Sequence, residues 1–140
     1  MVLLLVIATA AYFKALSLGW LTLGLTGALF VIVVIFHIYF VRSARAEKPA
    51  PIWFAHLFLL GVFLFLIDVG DTGGWHGPLT RLAEFVTGQL YGFRVLQSIG
   101  VSGGWLVLVS VVFLGLLIYA WVRIVVLRRR YLSIEASHDK

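Results

Sequence analysis

The sequence predicts an all-α integral membrane protein: a bundle of three to four transmembrane helices with one amphipathic interfacial helix. Two compositional facts and one pattern carry that expectation. Of the 140 residues, 62% are hydrophobic and only 12% are charged, where a soluble domain has about 25% charged residues. Mean hydropathy is +1.07. The charges are not dispersed; they fall between long charge-free runs at 15–41, 49–67 and 95–122. So few charges cannot clothe a soluble globule, which excludes that class along with disordered, coiled-coil and collagen-like chains.

Each of the three runs reaches the hydrocarbon thickness of about 30 Å at 1.5 Å per residue. Residues 2–13 form a fourth, shorter run before Lys14. It reaches the lower limit for a crossing if Lys14 extends outward to the headgroups. The spans are placed at about 1–17, 20–41, 52–68 and 104–127, in one domain over 1–130. The N-terminal part admits three readings: a helical hairpin turning around Ser17, Leu18 and Gly19, a signal-like segment with Ala8-Thr9-Ala10 as the small-x-small site, or one long protruding helix. The hairpin is preferred, because a basic n-region is missing from the signal reading.

Residues 68–101 read as the non-cytoplasmic connection. It opens with a Gly-rich turn, and Pro78 is placed to start a helix. Leu79, Leu82, Val86, Leu90 and Phe93 recur at three- and four-residue steps, with Arg81, Glu84, Gln89 and Arg94 between them. That spacing predicts an interfacial helix over about 78–99. Residues 131–140 read as a polar cytoplasmic tail that frays.

Orientation follows from the basic residues. Eight of the 11 flank one side: Arg42, Arg45, Lys48, Arg123, Arg128, Arg129, Arg130 and Lys140. Lys14, Arg81 and Arg94 fall on the other. The positive-inside rule makes the first side cytoplasmic and, with four crossings, puts both termini there. A bacterial cytoplasmic membrane is the default location. Trp20, Tyr39, Trp53, Trp75, Trp105, Tyr119 and Trp121 stand near predicted boundaries, as aromatic belts do.

The net charge is +5. Because the basic residues cluster at span ends, anionic headgroups rather than nucleic acid are the expected partner. The chain has no cysteine, which excludes disulfides, thiolate catalysis and Cys-ligated metal. Gly24 and Ala28, Gly88 and Gly92, and Gly100 and Gly104 have the small-xxx-small spacing that lets helices approach closely.

Two groups of residues are candidates for chemistry. His37 lies five residues before Arg42, and His56 five residues after Pro51. Both sit about 7.5 Å inside the same boundary. Two imidazoles at one depth suit axial ligation of haem b, with Arg42 and Arg45 placed for propionates, or contact with a quinone. The plainer alternative is a hydrogen bond between helices or a headgroup position. The second group, Asp68, Asp71 and His76, has carboxylates and an imidazole near one turn that suit a divalent metal; otherwise it is a solvated turn. No nucleophile–base triad and no phosphate loop is present, so no enzyme is expected.

The sequence thus favours a small non-catalytic membrane subunit or anchor packed against a larger membrane complex. A haem- or quinone-binding electron-transfer anchor is the alternative. A third reading is a self-associated small channel or transporter with Asp68 or Glu84 on its path.

Overall fold

The computed structural model describes residues 1–16, 25–44, 50–69 and 75–138. The architecture is all-α, with six helices among these residues. They are α1 (Val2–Leu16), α2 (Leu25–Ser43), α3 (Ala50–Phe65), α4 (Pro78–Thr87), α5 (Gly92–Ser98) and α6 (Gly103–His138). Between α3 and α4 lies one two-residue antiparallel pair, β1 (Asp68–Val69) with β2 (Trp75–His76).

α6 spans 36 residues, or about 54 Å. Its segment Gly103–Ile134 is long and apolar enough to cross a membrane, and its most apolar 18 residues have a mean hydropathy of 2.5. Only 28% of its most apolar stretch is buried against the rest of the chain. A core helix of a soluble protein would be mostly covered. Three shorter apolar helical stretches accompany it, at Val2–Ala15, Gly27–Ser43 and Pro51–Phe65.

α3 is the central helix; it packs most extensively on α6 and then on α1, while α2 lies chiefly on α6. One continuous cluster fills the contacts. Ala10 of α1, Val33 of α2, Leu59 and Phe63 of α3 and Leu117 of α6 all belong to it. At Gly61 the missing side chain admits the ring of Phe113, which also stacks on Phe65 at 5.5 Å. Ser110 of α6 donates to the carbonyl of Val62 at 3.0 Å, tying α6 to α3.

The cap between α3 and α6 differs from the sequence expectation. The single helix foreseen over 78–99 is two helices. Gly88 takes the left-handed conformation (φ 67°), and its N–H closes on the Glu84 carbonyl at 2.9 Å, which ends α4. α5 then folds back on α4. A Cβ on Gly92 would run into the carbonyl of Thr80, so that close approach requires glycine. α5 ends in a Schellman motif: Gly100 has φ 82°, Val101 N–H bonds to Leu96 O and Gly100 N–H to Gln97 O. The small-residue spacings at 88/92 and 100/104 therefore serve turns and a fold-back rather than a seam between long helices. Gly24 lies outside the described residues.

Three further expectations are corrected. Residues 131–138, foreseen as frayed, are helical: α6 runs through them, because nothing between Gly115 and His138 breaks a helix. Lys14 does not reach outward. It is 7% exposed and engaged by a neighbour. α1 and α2 pack against each other, which two stretches of one straight helix could not do, and this disposes of one long N-terminal helix; the turn foreseen at 17–19 lies outside the described residues.

Candidate functional site

The candidate site is built where α2, α3 and α6 meet. His37 presents its imidazole from the face of α2 that also carries the buried Val33 and Val34. His56 stands beside the fully buried Ala55 on α3. The rings touch: His37 Nε2 and His56 Nδ1 are 2.9 Å apart. From α6, Trp121 Nε1–H donates to His37 Nδ1 at 3.3 Å. His37 is 0% and His56 5% exposed, so water does not compete for these bonds.

The chain of bonds has one direction. An indole N–H can only donate, so His37 Nδ1 carries a lone pair and the proton of that ring sits on Nε2. His37 Nε2–H then donates to His56 Nδ1, and the proton of His56 sits on its own Nε2. Both imidazoles are neutral in this arrangement. Aromatic rings enclose them. Phe40 stacks on Trp121 at 5.2 Å, and Trp53 meets His56 edge-on at 6.1 Å.

The pair does not fit bis-imidazole haem ligation as it stands. An iron with a ligand on each side needs its two nitrogens about 4 Å apart, twice a metal–imidazole bond of about 2 Å. Here the gap is a hydrogen bond, and no macrocycle can lie in it. Both nitrogens of His37 are already used, by Trp121 and by His56, which also leaves that ring nothing to offer a quinone. Arg42, near the end of α2, is exposed. Arg45 lies outside the described residues.

The second candidate group is only partly described. The antiparallel pair sets the Cα of Asp68 opposite that of His76. His76 Nδ1 is buried and has no hydrogen-bond partner. Asp71 and the side chain of Asp68 lie outside the described residues. Among the described residues no group of three His, Asp or Glu side chains could hold a metal ion.

Trp121 was expected at the headgroup level. It is instead 7% exposed and bonded inside the core. Trp53, Tyr39, Trp105 and Tyr119 are each more than half exposed, as a belt requires. The sequence signal that separates them is weak. Trp121 lies on the same α6 face as the buried Leu117 and Ile124, at the three- and four-residue steps of one helix stripe. Glu84, a candidate for a conducting path, is committed elsewhere: it bonds Arg81 at 2.9 Å and accepts from Gly92 N–H at 3.3 Å.

No protein-family model matches the chain, and neither a curated protein nor a solved structure matches it.

Proposed function

We propose that this chain is a small non-catalytic membrane subunit or anchor that crosses the bilayer four times, with α1, α2, α3 and α6 as its spans. The observation that carries the reading is an inverted surface. Large apolar side chains point outward from all four helices, among them Leu4, Ile35, Phe54 and Ile118. The polar groups His37, His56, Trp121 and Ser110 are turned inward and bonded to one another or to backbone. Water would favour the reverse; lipid favours this arrangement, since an unmade hydrogen bond in hydrocarbon costs several kcal/mol.

α4 supports an interfacial position for the cap. It exposes Leu82, Phe85 and Val86 along one side, while Arg81 and Glu84 pair on its surface at 2.9 Å. The basic residues Arg42, Arg128, Arg129 and Arg130 mark the cytoplasmic side under this topology. The function is one of association: lipid on part of the outer surface and a larger membrane protein on the rest. In this reading the hydrogen bond between His37 and His56 acts as an interhelical lock.

The test has two steps. Alkaline carbonate should leave the chain in the membrane pellet. Solubilised in mild detergent from its native membrane, it should migrate on a native gel with larger polytopic chains. Migration as a symmetric self-assembly alone would replace the subunit reading with a channel. A reduced-minus-oxidised visible spectrum of the same sample should be flat. A band abolished by His37→Ala or His56→Ala would restore the electron-transfer reading.

A further inference from the structure

We propose that the groove between α3 and α6, at the end of the molecule that carries the arginines, binds one anionic phospholipid through Arg123 and Tyr119. The proposal rests on the membrane reading above and adds a specific ligand to it. The groove has a volume of about 400 Å³. Pro51, Phe54 and Phe58 line it from α3, and Leu116, Tyr119 and Arg123 from α6. On each helix those residues follow steps of three and four, so each set forms one stripe.

The two helices run antiparallel here, since Ser110 meets Val62 near the end of α3 while Trp121, further along α6, is joined through His37 to His56 near the start of α3. Pro51 and Arg123 therefore share one level, and Phe58 and Leu116 another, about 10 Å further in at 1.5 Å per residue. The groove is graded along that length. Its mouth has a guanidinium, its next turn a phenol, and its floor only hydrocarbon. A phospholipid has the same order: phosphate, ester carbonyls, acyl chain. Arg123 supplies a planar fork suited to phosphate oxygens. Tyr119, 60% exposed, stands one turn deeper with a hydroxyl to offer.

Charge decides between lipid and protein as occupant. Among the described residues no carboxylate pairs with Arg123; the ion pair there is Arg81 with Glu84, in the cap. A transmembrane helix seated in the groove would have to place an acidic residue at this one turn to pair with Arg123, a specific requirement on the partner's sequence. An anionic lipid brings its phosphate to that level with no such requirement. Arg128, further along α6, adds to the positive field at the mouth.

The experiment is native mass spectrometry of the full chain in detergent, with phosphatidylglycerol or phosphatidylcholine added at equal concentration. Phosphatidylglycerol should be retained preferentially, as one tightly held copy. Arg123→Gln should cut that retention about fivefold, the effect of one cation near a membrane surface, and Arg123→Lys should restore most of it. Arg129→Gln, outside the groove, should leave it unchanged, and circular dichroism of each variant checks that the helices persist. Equal retention of the two lipids overturns the site. So does an Arg129→Gln loss as large as that of Arg123→Gln, which would mean diffuse surface charge. A photocrosslinker replacing Phe58 that captures a polypeptide instead of lipid in native membranes also overturns it. Release of the chain by alkaline carbonate would overturn the membrane reading itself. A membrane-retained chain without lipid preference overturns the lipid site alone.

Discussion

Polar groups meet apolar surroundings in two parts of this molecule, and the two parts satisfy them by different means. In the seam between α2, α3 and α6, Trp121 bonds to His37 and His37 to His56, across 84 and 19 residues of sequence. In the cap, the partners are neighbours. Thr80 exchanges hydrogen bonds with Gly77 at 2.8 Å, Arg81 pairs with Glu84, and Ser98 donates to Val95 O. The seam thereby couples three helices into one cooperative unit, whereas the cap holds itself together turn by turn. Damage to the seam should register throughout the bundle, and damage to the cap should stay local.

The largest expected effect is at the centre of the seam. His37→Ala removes a fully buried ring and strands both the Trp121 N–H and a nitrogen of His56. The loss should be about 3 kcal/mol, combining cavity and unmade hydrogen bonds. Unfolding in detergent should report it as a single transition shifted downward for all helices. Separate melting of α2 would break the claim of one unit.

Gly92→Ala comes next, at about 2 kcal/mol, because its Cβ must displace the Thr80 carbonyl. This cost should fall on the α4–α5 fold-back. Tryptic cleavage at the exposed Arg81 and Arg94 should accelerate while the midpoint of bundle unfolding barely moves. An equal drop in that midpoint would erase the distinction between cap and seam.

Trp121→Phe keeps an aromatic ring against Phe40 but deletes the donor. About 1 kcal/mol should be lost, measured by the same unfolding. Combined with His37→Ala, the second loss should largely vanish, since the pair acts through one bond. The smallest effect belongs to Ser110→Ala. It removes the bond to Val62 O and should cost about 0.6 kcal/mol, the usual value for an interhelical hydrogen bond in a membrane. A near-zero value there, with full effects at His37, would confine the cooperative seam to the histidine end.

The cap also marks where sequence reasoning fell short. The apolar steps from Leu79 to Phe93 are real, and α4 carries them outward. Periodicity does not register a chain reversal, however, and Gly88 and Gly92 together make one. Their spacing looked like a packing motif because glycine serves both purposes; only the backbone angle at Gly88 and the approach of Gly92 to Thr80 separate them. Trp121 failed for a related reason. A tryptophan near a span end is ordinarily an anchor, and nothing local distinguishes one whose donor is needed inside.

Much else is determined by the sequence alone. The helical class, the apolar runs, the side bearing the arginines and the depth shared by His37 and His56 all follow from composition and spacing, which are one-dimensional quantities. Whether the two imidazoles face each other depends on the rotation of α2 and α3 about their own axes. Helices that are apolar nearly all round carry no stripe to set that rotation. Side-chain packing among the helices sets it instead, through Leu59, Phe63 and Leu117 at the centre of the core. The tertiary structure therefore decided that the histidines meet as a 2.9 Å hydrogen bond, too close for an iron between them, with a tryptophan from the last helix holding one of them in place.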